Sequence, residues 1–330
     1  MMPVARQYLA AGTYQDESRK HWSDFRREYD SVIMSKWRSG LSRLEAAHAL
    51  EIFESIAKPN YVARIDDRML DQFVAKRLTM RGRKKGDTVS PETVKKELRT
   101  VRAALNVARR WKYRGDVPSM PQVDGFGKDK PVVTEVHFDA SMAACDLATL
   151  PRCQMFTPEE FWQGLLATAW VTGMRKGALL QLRWEDVDLT AGVAFSRYRD
   201  NKGKRDEIKK IGPVAELLAK LKGFDPRVFP WNHAAVTLDR TFAKIQQAAG
   251  IHLPCRENHQ HTPACHLYGF HSFRYAHATY NFGRVSDRDL QEQVGHASFT
   301  TTQRNIKYAE EHRQKRYDAF LPKSLTARTG

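Results

Sequence analysis

The sequence predicts a mainly α protein in two parts, a helical bundle followed by a larger, mainly helical domain that carries one small antiparallel sheet. Three observations predict it. Through most of the first 114 residues, apolar side chains recur at spacings of three and four, as in helices with one buried face. Residues 115–155 lose that period and collect Gly115, Pro118, Pro121, Gly125, Gly127, Pro131 and Pro151, the composition of a connection. Beyond them, residues 187–211 alternate as strands do, around a turn at Asp200-Asn201-Lys202-Gly203. The chain therefore divides into an N-terminal tail (1–14), a bundle (15–114), a linker (115–155) and a second domain (156–330). Its 330 residues fit two domains, because single cores stop growing near ~250 residues.

Residues 17–37 and 41–56 carry helical spacing, and Asp66 or Asp67 can cap a helix through Met69, Leu70, Phe73 and Val74. Ser90 is a natural N-cap with Pro91 at the first helical position, and Val94, Leu98, Val101, Leu105 and Ala108 then form one buried stripe. In the second domain, Thr157-Pro158-Glu159-Glu160 reads as a capping box ahead of Phe161, Leu165 and Leu166. Strands are expected over 193–198 and 207–211, a loop over 223–231 and a helix over 237–249. No internal repeat is present.

Charge narrows the partner. There are 54 Lys and Arg against 38 Asp and Glu, a net charge of +16, which suits a polyanion. Between Arg81 and Arg114 twelve basic residues face three acidic ones. A helix that buries the Val94 stripe turns Lys95, Arg99, Arg102 and Arg109 outward, and Arg81, Arg83, Lys84 and Lys85 add to the same field from the preceding loop. Lys204 and Arg205 make the hairpin basic as well. No run approaches the ~18 apolar residues of a membrane span and residues 1–20 lack a signal-peptide core, so a cytoplasmic, nucleoid-associated protein with no membrane partner is expected. Four cysteines are too few for a disulfide scaffold.

Three strings carry the chemistry: Thr172-Gly173-Met174-Arg175, His271-Ser272-Phe273-Arg274 and Gly295-His296. In this order, with a lysine in a hairpin turn between the first and second, the chain resembles the tyrosine recombinase (phage integrase) family over about residues 157–320. The resemblance implies a helical core-binding (SAM-like) domain plus an α+β tyrosine-recombinase catalytic domain with a small antiparallel sheet, closing around duplex DNA as a clamp. It also implies a site-specific recombinase of phages or mobile elements that performs DNA integration, and a homo-tetramer on a double-stranded recombination site exchanging C-terminal segments, here the stretch through Tyr317 and Phe320. A directionality factor is a further expected partner. No cofactor is implied for the chemistry.

The residue types fit that chemistry. Cleaving a phosphodiester without a metal needs donors aimed at the two non-bridging oxygens, where charge builds in the transition state. Arg175 and Arg274 are permanently charged forks suited to this, and His271 and His296 can add hydrogen bonds and move protons. The resemblance offers Lys202 as general acid for the leaving 5′-hydroxyl, with Lys204 as fallback. Many members carry an acidic residue three positions after the first arginine, to orient it; here Ala178 stands there.

The attacking tyrosine of the family lies nine residues after the histidine of the Gly-His box. Here that position is Asn305, and a carboxamide cannot form the phosphodiester link. Tyr308, one helical turn on, is the alternative nucleophile, with Tyr317 or a partner's tyrosine behind it. The expected protein is thus a recombinase that is cleavage-deficient as written, or a non-catalytic DNA-binding regulator on the same scaffold; a type IB topoisomerase-like relaxase is a weaker rival. Finally, Cys255, His259, His261, Cys265 and His266 place five zinc-type ligands within twelve residues, a candidate structural zinc site beside the His-x-x-Arg box.

Overall fold

A computed structural model describes residues 19–82, 87–125, 131–197, 206–255, 263–295, 299–303 and 306. The chain divides into two compact units, residues 1–128 and 129–330.

The described part of the first unit is a bundle of helices α1 (Trp22–Val32), α2 (Gly40–Ala57), α3 (Asp67–Thr79) and α4 (Pro91–Arg110). Asp66 caps α3 by accepting from the Met69 amide at 2.8 Å, and Ser90 caps α4 ahead of Pro91. Phe25, Leu50, Phe53, Phe73, Val94, Val101 and Leu105 fill the core. A buried two-pronged ion pair ties α3 to α4: Arg77 donates from Nε to Glu97 Oε2 at 2.9 Å and from Nη2 to Oε1 at 2.8 Å.

The second unit is built on α6 (Pro158–Thr172), which buries Phe161, Trp162, Leu165, Leu166 and Ala169. Its capping box forms: Thr157 Oγ1 accepts from the Glu160 amide at 3.1 Å, and the Glu160 carboxylate accepts from the Thr157 amide at 2.8 Å. Helix α7 (Lys176–Gln181) follows and leads to an antiparallel sheet of β1 (Val187–Asp188), β2 (Val193–Ser196) and β3 (Glu207–Lys210), in that order. Ala194 pairs with Lys209 and Ser196 with Glu207, so these four share the inner face while Phe195 and Ile208 are exposed on the outer one. Then come α8 (Ala215–Ala219), α9 (Ala235–Ala248), α10 (His271–Asn281), α11 (Asp287–Gln293) and α12 (Phe299–Gln303). No helix among the described residues is long and apolar enough to cross a membrane.

The mainly helical class with one small sheet is observed. The stretch expected as an aperiodic linker, 115–155, carries structure instead. Val117, Met120 and Val123 pack on the bundle core, and Arg114 donates to the carbonyls of Val62 and Ile65. Further on, α5 (Glu135–Ala143), capped by Thr134, joins the second core together with Val133, Ala144 and Cys145. Its nine residues are too short and too weakly amphipathic for a period to stand out among prolines and glycines.

Candidate active site: a buried cationic pocket

Gly173 closes α6 in the left-handed conformation, φ 59°, and a Cβ there would lie 2.9 Å from His277 Cδ2. Glycine is therefore needed twice, for the turn and for the close approach of α10. Arg175 follows as the N-terminal flank of α7 and is half-buried.

Arg274, on the inward face of α10, is 1% exposed. Its Nη1 donates to the Gly173 carbonyl at 2.9 Å and its Nη2 donates to the Val294 carbonyl, while its buried Nε has no partner among the described residues. One guanidinium thus joins the turn before Arg175 to the end of α11, directly ahead of Gly295. The expected Thr-Gly-x-Arg turn, His-x-x-Arg box and approach to the Gly-His box meet at this side chain. His271, the first residue of α10, is exposed, with its ring edge-on to Tyr275 at 5.0 Å.

The pocket is strongly positive. Burial, reinforced by the Arg175 charge, pushes Arg274 down to about 9, with Glu207 pulling the other way. Lys209, on the inner face of β3, donates to Glu207 Oε2 at 2.7 Å and to the Gln293 carbonyl. Burial holds its ammonium below the usual lysine range, opposed by Glu207, while Arg274 and Arg175 push further down. Beneath them, burial and then the Lys209 charge press His277 down to about 4.

His277 is therefore neutral in the folded protein where an unfolded chain would protonate it. Between pH 6.5 and 4 the unfolded state binds the extra proton, so stability rises with pH there and is lost as the medium is acidified. Wild type should lose about 3 kcal/mol more than His277→Gln across that interval, measured by urea unfolding at each pH.

Several expected site residues lie outside the described residues: Lys202, Lys204, Arg205, His296, Asn305, Tyr308 and Tyr317, and on the basic surface Arg83, Lys84 and Lys85. Ile306 is described. It is buried against Ala278, Leu290 and Val294, so the chain next to position 305 is anchored at the end of α11. On α4, Arg99, Arg102 and Arg109 are exposed as expected; Lys95 is half-buried and pairs with Glu92 at 2.9 Å. Arg81 is exposed in a bridge to Thr88.

The zinc expectation gains no support. Among the described residues no group of three or more His, Cys, Asp or Glu is placed to hold a metal ion. Cys255, Cys265 and His266 are half-buried, His266 Nδ1 lies 2.8 Å from the Leu253 carbonyl, and its ring stacks on His252. His259 and His261 are outside the described residues.

Sequence reading missed Glu207, Lys209 and His277. The signal for the first two was present: strand alternation puts 207 and 209 on one face opposite Ser196 and Ala194, so charges fall where apolar residues belong.

This fold is that of the tyrosine recombinase and integrase scaffold, as the comparisons with known proteins show. Residues 157–312 match the Phage integrase family. It is 22% identical to the tyrosine recombinase XerD of Staphylococcus aureus over 280 residues, covering 83% of this chain and 90% of XerD. It is 29% identical to the tyrosine recombinase XerC of Xylella fastidiosa over 171 residues, 49% of this chain and 53% of XerC. Among solved structures, a lambda integrase(75–356) dimer bound to a COC′ core site superposes with a TM-score of 0.65 at 14% identity, covering 87% of this chain and 95% of that one. The Tn1549 transposon integrase in complex with transposon right end DNA gives 0.61 at 14% identity, covering 90% and 99%.

Proposed function

We propose that this chain binds duplex DNA at a specific site and gathers Arg175, Lys202, His271, Arg274 and His296 around one phosphate, as a tyrosine-type site-specific recombinase whose nucleophile position is filled by Asn305. The observation that carries the reading is Arg274: a guanidinium 1% exposed, with a buried Nε lacking an acceptor among the described residues, beside Arg175 and Lys209 and only partly balanced by Glu207. A buried surplus of positive charge with an idle donor calls for an anion, and the non-bridging oxygens of a phosphodiester supply acceptors for it. A lambda integrase tetramer has been solved on a Holliday junction, which supports assembly of this chain as a tetramer on DNA.

Asn305 favours a second reading, a DNA-binding regulator that keeps the pocket and cannot cut. The two agree on what the unaltered chain does first. It should shift duplex DNA carrying its site and leave no covalent adduct; an adduct in the unaltered chain that Tyr308→Phe abolishes would instead place the nucleophile at Tyr308. Phosphate binding by α4 is tested alongside. Arg102→Ala with Arg109→Ala should weaken binding to all duplexes and flatten the plot of log K against log salt by about 0.9 for each phosphate no longer neutralised, read by fluorescence anisotropy.

A further inference from the structure

The inner face of the β2–β3 hairpin holds Ala194 and Ser196 on one strand and Lys209 and Glu207 on the other. The Lys209 side chain is 3% exposed and that of Glu207 is 9%. An ammonium at that depth persists only where oxygens replace its water. Glu207 Oε2 and the Gln293 carbonyl do so, and Arg274 takes the carbonyl of the next residue, Val294. Two buried cations thus grip consecutive carbonyls at the C-terminal end of α11. The Glu207 carboxylate lies over Gly295: a Cβ built there would fall 1.8 Å from Oε1, and φ is 59°. The turn into His296 is gripped from the α11 side and covered from the hairpin side.

Charge follows the same geometry. Lys209 faces Arg274 and His277 on α10 and Arg175 before α7, with Glu207 as its carboxylate; Tyr275 adds its hydroxyl beside Arg274. Ala178, buried on α7, supplies no carboxylate to this cluster. We infer that Glu207 and Lys209 are the positioning pair of the phosphate pocket: they fix the Gln293–Val294–Gly295 turn that carries His296 and set the charge around Arg274, without touching DNA themselves. The inference rests on the functional reading above.

The test compares Glu207→Gln, Lys209→Met and Lys209→Arg in an Asn305→Tyr background, reading covalent adduct formation on a nicked duplex across pH. Glu207→Gln and Lys209→Met should each slow the adduct by about tenfold or more while duplex affinity stays within about twofold. Removing the carboxylate withdraws the charge that keeps Lys209 and Arg274 protonated, so in Glu207→Gln the alkaline limb should move to lower pH. Lys209→Arg should recover most of the rate. A substrate with a 5′-bridging sulfur, whose thiolate leaves without a proton, should not rescue Lys209→Met; rescue would make Lys209 the proton donor and overturn the positioning role. Unchanged rates and pH profiles in both charge-removing variants would overturn it equally. If Lys209→Met fails to fold, the isosteric Glu207→Gln carries the test. If the Asn305→Tyr parent makes no adduct, it is the functional reading that fails. The pair is then judged in the otherwise unaltered chain by the rise in Tm on adding inorganic phosphate: a rise lost in Lys209→Met and kept in Lys209→Arg supports it, and an equal rise in all overturns it.

Discussion

Asn305→Tyr is expected to convert a chain that only binds DNA into one that becomes covalently attached to it. In the proposed reaction the tyrosine oxygen bonds to phosphorus, the bond from phosphorus to the 5′-oxygen breaks, and that oxygen takes a proton, from Lys202 on the family resemblance. The bond energy is kept in a 3′-phosphotyrosyl link, which Asn305 cannot make, because its amide nitrogen lone pair is delocalised into the carbonyl. The described residues nearest to Asn305 are packed. Thr302, three residues before it, is fully buried; the Ile306 amide donates to the Thr302 and Gln303 carbonyls at 3.2 Å; and Ile306 packs against Val294, the residue whose carbonyl Arg274 holds. An SDS-stable protein–DNA band on a nicked half-site should appear with Asn305→Tyr and be absent with the unaltered chain. No increase would show that the pocket does not activate the phosphate, and the regulator reading would stand alone.

The fold class was legible because helices with one buried face leave a period and caps leave signatures: Asp66, Ser90 and Thr157 each cap the helix expected of them. The described candidate residues stand out as strings, since Gly173 with Arg175 and His271 with Arg274 sit at spacings that local turns enforce. What the sequence concealed is of a different kind. Helix α5 shows no period, because much of its burial comes from neighbours distant in the chain, as where His137 Nδ1 meets the Tyr268 hydroxyl at 2.8 Å. Lys209 and Glu207 looked like ordinary basic-hairpin residues. Only register against β2 and the packing of α11 turn them inward, and those are tertiary facts. His277 was passed over because a histidine two turns into a helix reads as generic, whereas its contact with Gly173 exists only once α6 and α10 meet. The five-ligand zinc pattern gains no support: the described side chains, which do not include His259 and His261, make no metal-binding group.

Arg274→Met should separate function from stability more sharply than any other substitution in the pocket. Methionine matches the arginine stem in length, is apolar, and removes both the charge and the donors. The folded protein disfavours that charge: burial and Arg175 bring Arg274 from its usual strongly basic range down to about 9, a drop worth about 5 kcal/mol. Methionine relieves that cost. Against it stand the carbonyls of Gly173 and Val294, which lose their donor in a dry interior at about 1–3 kcal/mol each. The two sides nearly cancel, so unfolding free energy should change by no more than about 2 kcal/mol, checked by urea melts. Function has no such compensation. With the buried Nε and the fork gone, the guanidinium donors to the transition-state oxygens are lost, and adduct formation in the Asn305→Tyr background should fall by about 10²–10³-fold, the usual cost of one lost oxyanion donor. A structural arginine gives the reverse pattern, a large loss of stability with activity falling only as the folded fraction falls. Arg77→Met, which would strand the buried Glu97 carboxylate, supplies that comparison within the same chain.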